Sequence, residues 1–244
     1  MARHRLFAAE LATLAAAGGG ELVIAGDEAH HAVKVKRLEV GDAVGVIDTL
    51  GCVGEGVVQA ITKPRGVFAI SVRVERVAVA PRLVPRIEVW AAAPKGDRLE
   101  QMIDQLSQVG AAAYAPLHTA RSVVDPREGK LQRLHRVALE SAKQSGRAWA
   151  LEILEGGDLD AACAGGVNAQ AQIVLADASG GAYVRTGAAA VRLLIGPEGG
   201  WTPEEISRAR TGGIPIANFG PCVQRIETAA VSAAAVILNR ETQS

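Results

Sequence analysis

The chain has 244 residues, 49% of them hydrophobic and 3% aromatic, and Lys+Arg equals Asp+Glu at 26 each. That composition excludes a disordered chain and allows one or two domains, while the zero net charge requires any basic surface to be local. The three cysteines, Cys52, Cys163 and Cys222, are odd in number and far apart, which excludes a disulfide framework, offers no zinc spacing and predicts small buried thiols in a reducing cytoplasm.

The start, MARHRLFAAELATLAAAGGG, is basic and alanine-rich, but Glu10 interrupts it and a folded-looking segment follows, so no signal peptide is expected. No apolar run reaches the ~18 residues of a membrane span. From about 22 to 79 the chain reads as short β pieces: ELVIAG, AVGVIDTLG, GCVGEGVVQAI and GVFAISVRVERVAV alternate or run apolar with Gly between them. Their spacing predicts a small β-barrel or sandwich. Within it, GDEAHHAVKVKRLEVGD predicts a short helix from Glu28 to about Arg37, capped by Asp27 and followed by a Gly41-Asp42 turn. His30 and His31 are adjacent on that helix and point to different sides without ligand partners at suitable spacing, so no metal site is expected. His118 and His135 stand alone and read as structural.

VAPRLVPR carries Pro81 and Pro85, which favour an extended connector. The domain boundary is therefore placed here, giving domains 1–79 and 80–244. After Arg86, strand-like runs (IEVWAAAP, AAAYAPL, WALEIL, AQIVLADA, VRLLIG, PIANFG) alternate with helical ones (RLEQMIDQLSQVG, LQRLHRVALESAKQSG, LDAACAG, PEEISRAR, IETAAVSAAAVILNRE), with Gly110 and Gly146 as helix stops. This alternation predicts an α/β domain with a mostly parallel sheet covered on both faces, where ligands bind at the carboxyl ends of the strands.

Two such ends stand out. IGPEGGWTPEE follows VRLLI, and Gly196, Gly199 and Gly200 leave main-chain groups bare to a ligand. Thr202, Pro203 and Glu205 then form a capping box with proline at the first helical position. No GxxxxGK[ST] or GxGxxG is present, and Glu198 would repel a phosphate. NFGPCVQRIETAA follows IPIAN with a bare Gly220-Pro221 turn, and Arg225, Glu227 and Thr228 cluster where the last helix starts. Each loop alone also fits an ordinary turn; together they can form two walls of one pocket.

The pair IGPEGGWTPEE and FGPCVQRIETAA resembles the carboxyl half of the SPOUT superfamily of RNA methyltransferases. With HHAVKVKRLEVGD, KGDRLEQMIDQLSQVG, RSVV and SAKQSGR, in that order, the chain most resembles the RsmE group over nearly its whole length. One departure is Cys222, where that family usually carries arginine. The resemblance implies a SPOUT-type, mostly parallel sheet with a C-terminal trefoil knot, an exception to the rule against threaded chains, preceded by a small PUA-like β-barrel. It further implies a cytoplasmic homodimer packed through the last helix, S-adenosyl-L-methionine as cofactor, and methylation of N3 of one uridine in 16S rRNA, free or in the small ribosomal subunit. A tRNA target, or an inactive RNA-binding homologue, remains open.

On this resemblance the cofactor sits among Ile195, Gly196, Pro197, Gly199, Gly200, Phe219, Gly220, Pro221, Arg225 and Thr228. Bare backbone suits an adenine edge, and apolar residues can cover its faces. Uracil N3 must lose a proton, which places negative charge on the flanking carbonyl oxygens. Arg225 is the candidate cation to stabilise that charge, and Glu198 or Glu227 the candidate proton acceptor. Lys34, Lys36 and Arg37, Arg121 with Ser122, and Gln144 with Arg147 form the basic and polar clusters that phosphate contacts would use.

Overall fold

The structure, a computed structural model, describes residues 4–126, 128–164 and 171–242. Residues 1–3, at the start of the segment read for a leader, and Gly165, the end of the expected LDAACAG helix, lie outside the described residues. The chain divides into two units. One holds the chain up to Pro81 together with Ala142–Ala150; the other holds Arg82–Ser141 and the chain from Leu151 onward.

In the first unit β1 (His4–Phe7), β2 (Gly20–Ala25), α1 (Asp27–Lys34), β3 (Ala43–Ile47), β4 (Cys52–Thr62) and β5 (Ala69–Val79) follow in chain order. The five strands form one sheet in the order β1-β3-β4-β5-β2, antiparallel except for the parallel pair β1 and β3. Period-two burial drives it: β2 buries Leu22 and Ile24 while leaving Val23 exposed, and β5 buries Ile70, Val72 and Val74. These side chains join Leu6, Leu11, Val44 and Val46 in one core.

α1 differs from the sequence expectation at both ends. Gly26, with φ 76°, occupies the cap position and no side chain caps the helix; Asp27 is its first residue. Gly26 makes the sharp exit from β2 because it alone adopts that φ without strain, and Asp27 still places its charge at the helix N-terminus. The helix stops at Lys34, and Arg37 lies beyond it with φ 54°. β1 had no sequence signal: four residues, two of them basic, form a strand only because β3 offers its edge. The expected strand WALEIL is mostly not one. Trp149 belongs to the first unit, where its indole packs on Gly51 and Nε1 donates to the Ala80 carbonyl at 2.9 Å.

The second unit contains β6 (Arg86–Ala91), α2 (Arg98–Val109), β7 (Ala113–His118), most of α3 (Glu128–Ser145), β8 (Glu152–Ile153), β9 (Gly157–Asp158), α4 (Leu159–Cys163), β10 (Ala171–Ala182), β11 (Ala190–Ile195), α5 (Pro203–Thr211), β12 (Ile216–Asn218) and α6 (Ile226–Thr242). Its strands run β12-β10-β11-β6-β7-β8, with β9 also on β7, and all these pairings are parallel. The continuous apolar strands are buried on both faces. Val89, Val191 and Leu193 pack with α2 and α6 residues such as Met102, Ile103, Ala230 and Ile237. Trp90, Leu175 and Leu194 pack with Trp201 and Ile214 in a second cluster. Each such fully buried large side chain contributes about 1.5–3 kcal/mol of transfer free energy. Gly110 closes α2 in the left-handed conformation, φ 104°, as its position after an amphipathic run predicts.

Candidate active site

The capping box at 202–205 forms as its sequence dictates. Glu205 N–H donates to Thr202 Oγ1 at 3.2 Å, and Thr202 N–H donates to Glu205 Oε2 at 2.8 Å. Glu205 Oε1 also accepts from Ala120 N–H at 3.0 Å. The buried Glu205 carboxylate therefore anchors both the start of α5 and the turn after β7.

Between β11 and this cap, the Gly200 N–H donates to the Pro197 carbonyl at 2.8 Å and closes a tight turn, with Gly200 at φ 67°. Gly196 is bare for a reason internal to the protein: a Cβ there would lie 2.9 Å from the indole ring of Trp201. That indole is buried and donates to the Ala176 carbonyl at 2.9 Å. Arg121 donates to the carbonyls of Gly199, at 2.7 Å, and Trp201, at 3.4 Å. The loop is short of side chains but firmly held.

A cavity of about 370 Å³ opens against this loop, within the ~300–1,000 Å³ range of small-molecule sites. The loops after β11 and β12 form two of its walls. The two strands are not adjacent: β10 lies between them, and Ala176, Asp177 and Ala178 at its bulge complete the lining. The apolar surface comes from Ile195, Pro197, Phe219, Ile226 and Ala233, and the polar groups from Asp177, Glu198, Asn218 and Gln224. Bare backbone, a half-buried aromatic ring and a few convergent polar groups suit a nucleoside-sized ligand.

Of the residues expected at a cofactor, Ile195, Gly196, Pro197, Gly200, Phe219, Gly220 and Pro221 line this cavity, as does Glu198. Among the described residues its wall does not include Gly199, Arg225, Glu227 or Thr228. Gly199 turns its carbonyl to Arg121. Arg225 and Thr228 are exposed, and the Arg225 carbonyl accepts the Ala229 N–H at 2.8 Å as α6 begins. Glu227 follows the lining residue Ile226 and is largely buried, with its side chain 13% exposed. Its Oε2 is buried without a hydrogen-bond partner, a condition that costs about 1–3 kcal/mol or more for a charged acceptor.

Sequence reasoning missed Arg98, Asp177, Asn218, Gln224 and the role of Trp201. Arg98, the first residue of α2, stands 3.5 Å from Glu198 Oε1 and 3.6 Å from Glu227 Oε1. The motif KGDRLEQ contains it, but nothing local shows which loops it meets. The cysteines also depart from expectation. Only Cys52 is buried; Cys163 is half-buried, and Cys222 is exposed on the cavity rim.

In the first unit Lys34, Lys36 and Arg37 gather at the end of α1. Phe68 is flanked by Lys63 Nζ at 4.9 Å and Lys34 Nζ at 5.6 Å, and Lys36 Nζ donates to the Arg5 carbonyl at 2.9 Å. Gln144 is exposed, whereas Arg147 is half-buried and burial lowers its guanidinium pKa. In the second unit Ser122 Oγ accepts from Thr119 N–H at 3.0 Å, while Arg121 is engaged with the 196–201 loop. No group of three or more His, Cys, Asp or Glu among the described residues could hold a metal ion, and no described helix is long and apolar enough to cross a membrane.

A parallel sheet with a ligand cavity at its strand ends, in a chain that also carries a small β unit, defines an α/β protein with a small-molecule site. The RNA methyltransferase domain family matches residues 82–238, and the RNA methyltransferase PUA domain family matches residues 24–70. The chain belongs to the RsmE family, that of ribosomal RNA small subunit methyltransferase E. It is 31% identical over 215 residues to the Synechocystis sp. protein of that name, covering 85% of this chain and 69% of the relative. Its fold is that of a probable rRNA-methyltransferase from Porphyromonas gingivalis (TM-score 0.80, 23% identity, 98% of each chain). It is also that of ribosomal RNA small subunit methyltransferase E from Neisseria gonorrhoeae, solved bound to S-adenosyl methionine (TM-score 0.78, 19% identity, 97% of each chain).

Proposed function

We propose that the protein is an S-adenosylmethionine-dependent methyltransferase acting on 16S rRNA of the small ribosomal subunit, at N3 of a uridine. The observation that carries this reading is the cavity itself, built from the bare 196–200 and 219–221 loops in a chain of the RsmE family. Bound there, the cofactor supplies an activated methyl group on a sulfonium. The exposed main chain of both loops can pair with an adenine edge, and Ile195 and Phe219 can cover its faces. Closing these walls excludes water and holds the donor in one orientation.

The base nitrogen must give up its proton as it takes the methyl. Glu198, on the cavity wall, and Glu227, beside it, are the carboxylates that can accept it, and Arg225 is a cation that can offset charge on the flanking carbonyl oxygens. Lys34, Lys36, Arg37, Gln144 and Arg147 in the first unit, with Arg121 and Ser122 in the second, provide RNA phosphate contacts. The same reading includes a trefoil knot, a homodimer packed through α6 and a cytoplasmic location, all supported by the family resemblance.

The test combines calorimetric binding of S-adenosylmethionine with methylation of isolated small subunits and free RNA side by side, followed by mass analysis of the nucleosides. N3-methyluridine in 16S rRNA is the expected product. Donor binding without transfer to either substrate would overturn the enzymatic reading, and transfer to tRNA alone would redirect the target.

A further inference from the structure

We propose that Asp177 is a specificity-determining residue of the cavity, favouring the sulfonium form of the cofactor over the neutral thioether left after transfer. The proposal rests on the methyltransferase reading above. The charge on the cavity wall is one-sided: among the described residues that line it none is a lysine, arginine or histidine, and Asp177 and Glu198 are carboxylates. The two amide side chains on the wall are neutral, and their acceptor oxygens are already engaged. Asn218 Oδ1 accepts from the Gly220 N–H at 3.0 Å, and Gln224 Oε1 accepts from the Ser232 hydroxyl at 2.9 Å.

The two carboxylates are not equivalent. Glu198 is 44% exposed and stands 3.5 Å from Arg98, so water screens its charge and a cation outside the wall offsets it. Asp177 is half-buried, and among the described residues it forms no ion pair. It is the first residue of β10 past the end of its pairing with β11, and the pairing with β12 breaks at the same point. The strand end thereby delivers it to the cavity. Its place is fixed on both sides: Asp177 Oδ1 accepts from the Ser179 N–H at 2.8 Å, and the carbonyl of the preceding Ala176 accepts from the Trp201 indole at 2.9 Å. A held, unpaired anion on a partly desolvated wall favours a cationic ligand.

Within the methyl donor the α-ammonium and α-carboxylate cancel, which leaves the sulfonium as its net charge. When the methyl leaves, the electron pair of the broken carbon–sulfur bond stays on sulfur and that charge is gone. Discrimination between two such similar ligands has to act on the group by which they differ. The Asp177 charge acts on that group and tilts affinity toward the donor, easing replacement of the spent cofactor.

The experiment measures Kd by calorimetry for the full chain and for Asp177→Asn, which keeps an acceptor oxygen for the Ser179 N–H. The ligands are S-adenosylmethionine, S-adenosylhomocysteine and sinefungin, which carries an ammonium where the donor carries its sulfonium. Asp177→Asn should weaken S-adenosylmethionine and sinefungin about fivefold each, and S-adenosylhomocysteine less than about twofold. Equal losses for all three would mean that Asp177 acts on a part they share, and no loss would remove it from recognition; either overturns the proposal. A second measurement needs only the wild type. Raising salt from about 20 mM to about 500 mM should weaken S-adenosylmethionine about threefold more than S-adenosylhomocysteine, because mobile ions screen a partly solvated charge. Equal salt dependence would overturn the proposal even if Asp177→Asn fails to fold. A wild type that binds these ligands but gives any of the overturning results removes this inference alone, whereas one that binds none of them removes the functional reading with it.

Discussion

The Arg121 guanidinium donates a 2.7 Å hydrogen bond to the Gly199 carbonyl, joining the turn after β7 to the bare loop after β11. Together with the Ala120 N–H bonded to Glu205, this fixes the cavity loop from outside. Arg121→Ala should therefore weaken S-adenosylmethionine binding. The bond is partly solvated, so a loss of about 1 kcal/mol, or roughly fivefold in Kd, is expected. Titration calorimetry checks it, and an unchanged Kd would show that the loop keeps its shape unaided.

Gly196→Ala should be felt first by Trp201, whose ring would stand 2.9 Å from the new Cβ. Relieving that overlap costs about 1–3 kcal/mol, lowering the melting temperature by roughly 2–10 °C and donor affinity with it. Gly181→Ala is the control, since a Cβ there meets nothing within 4 Å; its melting temperature should stay within about 2 °C of wild type.

Glu241, near the end of α6, binds the 183–187 segment. Oε1 accepts from the Tyr183 hydroxyl at 2.6 Å, Thr186 N–H at 2.8 Å and Thr186 Oγ1 at 2.9 Å, and Oε2 accepts from Gly187 N–H at 2.8 Å. Burial alone would raise the carboxyl pKa, but these hydrogen bonds outweigh it and the net shift is downward. A depressed folded pKa contributes stability that is present above the unfolded value, about 4.3, and lost as pH falls through the folded one. Glu241→Gln should thus cost about 2–3 kcal/mol near neutral pH, with the gap from wild type closing below about pH 4. Urea unfolding at several pH values measures this; a gap independent of pH would contradict it.

Double replacement of Lys34 and Arg37 by alanine should reduce RNA affinity and flatten its salt dependence. Each lost phosphate contact lowers the slope of log K against log salt by about 0.7–0.9. An unchanged slope would remove the α1 cluster from the RNA surface. Lys36 is a weaker choice for this test, because its Nζ is already bonded to the Arg5 carbonyl.

Features governed by near neighbours in the chain were legible in the sequence. Thr202 and Glu205 cap α5 because the two sit three residues apart, Gly110 ends α2 because only the left-handed conformation closes that turn, and the apolar runs of β6 and β11 declare burial on both faces. The loops at 196–200 and 219–221 were legible as bare backbone at strand ends, so two of the cavity walls could be named. Asp27 misled because a polar residue before a helix reads as its cap, while Gly26 could make the turn that Asp27 could not.

The sequence by itself determined the alternation of elements, the capping, the two side-chain-poor bends and the family. Only the tertiary structure decided that β10 enters between β11 and β12 and lends Asp177 to the cavity, and that Ala142–Ala150 belongs with the first unit. It alone decided that Gly196 is bare for Trp201, and that Arg98 faces both Glu198 and Glu227. The physical reason is range: propensities, caps and turns act across a few residues of chain, whereas strand order, ion pairs and ring contacts join residues that meet only after the sheet has assembled.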